Sequence, residues 1–174
     1  MTATRTVRVI DTIPPVITLL GTGNIMINAG SPYIDAGATW TDNVDGTGTI
    51  SGASSGLVNT GVLGTYPLTY QYVDAAGNTG SVTHNIVVQD TTAPVVSVVG
   101  TGVTVVQGAM YVDSGATASD NYDGDITLSI LTGGTFVDTS ATGTYTITYD
   151  VTDSSLNAAT QKVRNITIIA PDTE

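Results

Sequence analysis

The chain contains an internal repeat, and that repeat limits what it can fold into. Asp11-Thr12-Ile13-Pro14-Pro15-Val16 returns as Asp90-Thr91-Thr92-Ala93-Pro94-Val95, an offset of 79 positions (90 − 11). The Gly21-Thr22-Gly23 turn returns as Gly100-Thr101-Gly102 at the same offset. Tyr33-Ile34-Asp35-Ala36-Gly37-Ala38-Thr39 matches Tyr111-Val112-Asp113-Ser114-Gly115-Ala116-Thr117 one residue early, which a single loop deletion explains. Gly64 to Tyr70 then matches Gly143 to Tyr149, and Asp74 with Asn78 matches Asp153 with Asn157, so the register has recovered. A unit of this length is one small domain. The predicted organisation is a first module at residues 11–89, a second at 90–170 and a tail at 171–174. Residues 1–10 are a flank or the terminal strand of a preceding copy, because Thr6-Val7-Arg8-Val9-Ile10-Asp11 stands where Ile86-Val87-Val88-Gln89-Asp90 stands before the second unit.

Each copy reads as β structure. Short runs rich in Val, Ile, Thr and Tyr are separated by Gly, Asp, Asn and Ser, a balance that suits pleated surfaces. The expected strands of the first copy are Val16 to Leu20, Ile25 to Ile27, Tyr66 to Val73 and Val82 to Val88, with a bend through Tyr33 to Thr39. In the second they are Val95 to Val99, Val103 to Val106, Ile126 to Ile130, Tyr145 to Thr152 and Lys162 to Ile169. Tyr66, Leu68, Tyr70 and Tyr72 alternate with Pro67, Thr69, Gln71 and Val73, the period-2 pattern of a strand with one face in a core. Pro67 belongs at a strand start or an unpaired position. Many short strands in so few residues predict an all-β fold of two tandem immunoglobulin-like sandwiches. The join through Gln89-Asp90-Thr91-Thr92-Ala93-Pro94 is short and proline-bearing, which favours a stiff rod over a flexible string.

Charge and composition exclude several functions. With 15 acidic and 4 basic side chains the net charge is −11, and no basic stripe exists to meet phosphates, so no nucleic-acid partner is expected. No apolar run is long enough for a spanning helix, and the first residues do not read as a signal peptide, so direct membrane insertion is not expected and any export signal lies elsewhere. Cysteine is absent, so neither disulfides nor thiolate metal sites can staple modules this small. His84 is the only histidine and reads as a plain strand residue, with its counterpart near Val163. The glycine-rich pieces at 60–64 and 131–134 lack the lysine and helix of a phosphate loop. Paired carboxylates do acid–base work only around a substrate cleft, and none is indicated, so the chain is not expected to be an enzyme.

The informative chemistry is acidic. Asp120-Asn121-Tyr122-Asp123-Gly124-Asp125 puts three carboxylates at a glycine-bearing turn. Asx bonding to the turn's own backbone is one explanation. A calcium site is the other, because a hard cation gathers several oxygen ligands. The expected ligands are Asp120, Asp123 and Asp125, assisted by Asp113 or Asp153 from nearby loops. Asp42 and Asp45 form a related, weaker site in the first copy, where Thr47 replaces the third carboxylate. Asp74-Ala75-Ala76-Gly77-Asn78 reads as a hairpin turn with Gly77 free to take positive φ; Leu156 stands at the equivalent place and implies an altered turn or local strain. Trp40, matched by Ala118, is a candidate platform for stacking a sugar.

Through Asp90-Thr91-Thr92-Ala93-Pro94-Val95, Tyr111 to Ala116, Asp120 to Asp125 and Gly143-Thr144-Tyr145, the chain resembles the bacterial immunoglobulin-like repeats found in tandem in surface proteins, adhesins and secreted enzymes. The resemblance covers both copies. It implies a non-catalytic stalk or spacer held outside the cell as part of a larger exported protein, flanked by neighbouring repeats, with calcium-stabilised modules among similar surface proteins. An adhesive or glycan-binding module, or a self-associating fibre subunit, is the alternative, with a surface protein or glycan as ligand.

Overall fold

The alternating strands close each copy into two facing sheets. The computed structural model describes residues 1–21 and 23–172; Thr22 of the expected first turn, and Thr173 and Glu174 of the expected tail, lie outside the described residues. The chain divides into two compact units, Met1–Gln89 and Asp90–Glu174. In the first, β1 (Val16–Leu19), β3 (Ala38–Asp42) and β4 (Gly46–Ile50) form one antiparallel sheet in the order β1-β3-β4. The other sheet holds β2 (Ile25–Asn28), β6 (Thr79–Gln89) and β5 (Gly64–Val73), with β6 between a parallel β2 and an antiparallel β5. In the second unit, β7 (Val95–Val98), β9 (Ala116–Asp120) and β10 (Gly124–Asp125) form the first sheet. The facing sheet runs β11 (Leu131–Gly134), β12 (Gly143–Asp150), β13 (Lys162–Ile169) and β8 (Val103–Val106). Here too the strand next to the last, β13, is parallel to β8 and antiparallel to β12.

Period-2 burial explains why these segments are strands. Along β6, Gly80, His84, Ile86 and Val88 point inward between outward Ser81, Thr83 and Asn85; along β13, Arg164, Ile166 and Ile168 do the same. The first core packs Ala38, Leu68, Tyr70 and Ile86 with Ile17, Leu19, Ile25 and Ile27, joining the two sheets. The second unit packs Val96, Ala118, Tyr149 and Val151, and beside them Val105, Ile166 and Ile168. Gly80 is there for close approach: a Cβ would sit 1.9 Å from the Pro15 carbonyl oxygen. At the start of β5 and β12, Tyr66 Oη donates to Val62 O at 2.8 Å and Tyr145 Oη to Ala141 O at 3.1 Å. A tyrosine bonded back to its upstream backbone is a corner of immunoglobulin-like sandwiches. Pro67 lies within β5, opposite Asn85, on the outer strand of its sheet.

One local expectation is corrected, and one of two alternatives at Leu156 is selected. Ile126 to Ile130 is no strand: Thr127–Ser129 is a single 3₁₀ turn. Thr127 Oγ1 accepts from Ala118 N at 3.0 Å and Thr127 N donates to Asp125 Oδ1 at 3.0 Å, and such side-chain bonds offer the backbone an alternative to the ladder. At Leu156 the turn is unaltered and the strain is real. Leu156 N donates to Asp153 O at 3.2 Å as Gly77 N donates to Asp74 O at 3.1 Å, and Leu156 has φ 71° where Gly77 has φ 94°. An L-residue in this left-handed region costs about 1–2 kcal/mol, and Leu156 is 84% exposed, so its side chain recovers little by burial. Leu156→Gly is therefore expected to raise stability by about 0.5–1 kcal/mol, after the larger chain entropy of unfolded glycine, read as a higher urea midpoint at unchanged slope.

Candidate metal centre

The same three strand ends meet in each module. In the second, Asp90 opens the segment leading into β7, Asp120 ends β9, and Asp153 sits in the turn between β12 and β13. Each offers one carboxylate oxygen, and these oxygens lie within 4.8 Å of one another. All three residues are buried, with relative exposures of 6%, 9% and 6%. In the first module Asp11, Asp42 and Asp74 make the equivalent cluster under the same spacing, with Asp74 buried and Asp11 and Asp42 half-buried.

Local turns aim these groups. Asp120 Oδ1 accepts from Tyr122 N at 2.7 Å and Asp123 N at 3.0 Å; Asp42 Oδ1 accepts from Val44 N at 2.8 Å and Asp45 N at 2.9 Å. Asp90 Oδ1 accepts from Thr92 N at 3.0 Å, and Asp11 Oδ1 from Ile13 N at 3.1 Å. Asp153 is held by Ser155 N, Asn157 N and Asn157 Nδ2 at 2.9, 2.7 and 2.9 Å. Asn78 grips Asp74 in the same way, and despite some burial these bonds keep the Asp74 carboxyl below the usual range. Each asparagine also donates Nδ2 to the leading segment, Asn157 to Asp90 O at 3.3 Å and Asn78 to Asp11 O at 3.4 Å. The backbone bonds use one oxygen of Asp90, Asp120 and Asp42; the Oδ2 of each is buried with no hydrogen-bond partner among the described residues. Two ionised carboxylates at about 5 Å repel by roughly 3 kcal/mol at an effective dielectric of about 20, so buried oxygens left this way call for a counter-charge.

The expected ligand sets are thus regrouped. Asp120, Asp153 and Asp42 belong to the clusters. Asp123 does not: its two oxygens accept from Ser154 N and Ser154 Oγ, both at 2.7 Å, and these bonds hold its carboxyl low. Asp45 takes the equivalent place, accepting from Ala75 N at 2.6 Å. Asp125 is spent on Thr127, whose bonds likewise lower its carboxyl. Asp113 lies in the other direction, under the sandwich, where Arg164 Nη1 pairs with it and Tyr149 Oη donates to it at 2.7 Å. Sequence reasoning had passed over Asp90, Asp11 and Asp74 as ligands, although all three recur in both copies.

The core position facing Asp113 also corrects the register. Arg164 pairs with Ile147 across the sheet and His84 pairs with Leu68, so Arg164 is the counterpart of His84. Asn157 to Asn165 is one residue longer than Asn78 to Asn85 (8 against 7), which displaces Val163 from that role. Arg164 Nη2 also donates to Val99 O and to Gly115 O, the latter at 3.0 Å, while His84 Nδ1 donates to Gly23 O at 2.9 Å. In the first module Asp35 accepts from Tyr70 Oη, and from Gly37 N and Ala53 N at 2.9 Å each. Burial opposes its ionisation, yet these donors hold it below the usual carboxylate range. Trp40 is not a free platform: it is 9% exposed and stacked on Tyr72 at 3.8 Å between ring centroids, over Gly48, where a Cβ would come within 2.5 Å of the indole.

Two-sheet modules with tyrosine corners are immunoglobulin-like sandwiches. The sequence profile described as "Bacterial surface protein, Ig-like domain" matches residues 17–88 and 100–168, and the chain belongs to that family. An "Uncharacterized 81.3 kDa protein" of Acholeplasma phage L2 is 39% identical over 77 residues, covering 42% of this chain and 10% of that protein. The chain thus spans about a tenth of that relative's length. Among solved structures, a lipoprotein of Bacteroides thetaiotaomicron is 21% identical with TM-score 0.40, over 47% of this chain and 40% of that one. A Clostridium perfringens ZmpB structure with CBM51-2, in complex with GlcNAc, and INT domains is 28% identical with TM-score 0.38, over 45% and 17%. The ZmpB structure with the M60 catalytic domain, CBM51-1 and CBM51-2 is 13% identical with TM-score 0.47, over 93% and 31%.

Burial, then the hydrogen bond to Asp113 and its charge, push the Tyr149 phenol up to about 12. An unfolded tyrosine titrates near 10, so Tyr149 contributes stability that is complete below about pH 10 and lost as pH rises towards 12. Tyr149→Phe is expected to lower stability at pH 8 by about 1.5–3 kcal/mol and to flatten the decline between about pH 10 and 12, measured by urea unfolding across that range.

Proposed function

We propose that the chain is a non-catalytic structural segment of a larger exported bacterial surface protein, in which the two modules supply length and spacing outside the cell. The observation that carries this reading is how the second module begins. β6 ends at Gln89, Asp90 is already buried in the second unit, Pro94 is buried too, and β7 starts at Val95. No long free tether is left between the last strand of one module and the first of the next. The family of surface-protein modules is consistent with this role. So is the state of the acids: a cavity of about 370 Å³ touches Tyr33 and Asp35, but Asp35 is engaged by three donors and is a poor candidate for proton transfer.

A second reading, self-association into fibres, is supported by β11, an outer strand whose residues are all exposed, Leu131 among them at 72%, with Phe136 just beyond it at 88% exposure. Open apolar edges invite pairing. Sedimentation equilibrium and limited proteolysis separate the two. A spacer stays monomeric at high concentration and its segment at 90–94 resists cleavage at protease levels that leave both modules intact. Assembly that disappears in Leu131→Lys favours the fibre; rapid cutting at 90–94 contradicts the spacer.

A further inference from the structure

We infer that each module carries one calcium site, Asp90–Asp120–Asp153 in the second and Asp11–Asp42–Asp74 in the first. The first observation is convergence: three carboxylates from three separate strand ends place oxygens within 4.8 Å of one another, twice over. The second is independent of acidity. Asp90 and Asp120 are 6% and 9% exposed, their Oδ1 atoms are consumed by backbone N–H groups, and their buried Oδ2 atoms have no partner among the described residues. An Asx turn needs one oxygen; it gives no reason to bury the other.

The chemistry selects the ion. The donors are all carboxylate oxygens, without the nitrogen or sulfur that zinc and copper favour. Oxygens on opposite sides of calcium, at about 2.3–2.6 Å each, stand about 4.6–5.2 Å apart, so the observed spacing accepts calcium without moving a loop. Magnesium, at about 2.0–2.1 Å, demands a tighter octahedron and retains its waters. The three backbone-tethered turns pre-position the ligands, which limits the entropy lost on binding. The two sites differ in burial and not in ligand number. Asp11 and Asp42 are half-buried and their charges are better screened, so the first site is the weaker. Thr47 has no part in that difference, since its counterpart Asp125 is bonded to Thr127. These sites stand whether the chain is a spacer or a fibre subunit.

The test uses the full chain stripped with chelator, at fixed ionic strength, with calcium or magnesium as the only added cation. Native mass spectrometry and isothermal titration should find two calcium ions in two unequal steps, with magnesium on the order of 100-fold weaker. Asp120→Asn keeps an oxygen to accept the turn's N–H groups and should abolish the tighter step; Asp42→Asn should abolish the weaker one. Asp123→Asn, outside the cluster, should retain both. Saturating calcium should raise the wild-type Tm by on the order of 10 °C. Without metal, Asp120→Asn should melt above wild type, because it removes one of three mutually repelling charges, whereas a purely turn-forming aspartate would give a variant that melts lower. Absence of saturable binding, two ions retained by Asp120→Asn, or loss of an ion in Asp123→Asn overturns the inference.

Discussion

Everything in each module hangs on a strand paired along both of its edges. β6 exchanges hydrogen bonds with β2 on one side and β5 on the other, and β13 does so with β8 and β12. A strand in that position has no free backbone edge, so its alternate side chains are fixed in direction and one face is committed to the interior. Ile86 and Ile166 are fully buried there, directly across from Tyr66 and Tyr145, the corner tyrosines. Without cysteine to cross-link the sheets, this registered apolar face is what holds the two layers together. The clusters of aspartates depend on it as well, because in each module one of the three acids, Asp74 or Asp153, sits in the turn that leads into this strand.

How legible the fold was depended on side-chain contrast. The bounds of β8 and β13 could be read from their runs of Val, Ile and Thr, and β5 was recognisable from its alternating tyrosines. β4, written Gly-Thr-Gly-Thr-Ile, and β9, written Ala-Thr-Ala-Ser-Asp, carry small residues with almost no hydrophobic contrast, and their pairing is set by neighbours instead. The acidic site failed for a related reason. Attention to local density picked out Asp123 and Asp125, which are close to Asp120 in sequence but face Ser154 and Thr127. Asp90 and Asp153 are distant in sequence and reach Asp120 only through the sandwich. Their signal was recurrence: Asp11, Asp42, Asp74 and their counterparts occupy matching places in both copies, as do Asn78 and Asn157.

Where the two modules differ, they solve the same packing problem with different chemistry. Beneath one sheet, Asp113 is neutralised by a buried arginine that also ties down two carbonyl groups; beneath the other, Asp35 relies on neutral donors and His84 takes over the arginine's place. Arg164 Nε and His84 Nε2 are each left buried without a partner among the described residues, so neither solution is complete. Trp40 and Tyr72 stack where the second module has Ala118 and Val151, and Gly48 makes the room for the larger ring. The same strand pairing thus accommodates a large aromatic stack in one module and two small apolar side chains in the other.

The placement of Asp11 and Asp90 at the head of their modules bears on how such a protein grows. All three acids of a cluster lie between the first residue of a repeat and the turn before its last strand, so the segment from Asp11 to Gln89 is self-sufficient in ligands. A duplication in register with that segment copies the whole constellation at once and needs nothing from its new neighbour. A module transplanted out of the array with its boundary a few codons further on would leave Asp90 behind and carry two of its three acids.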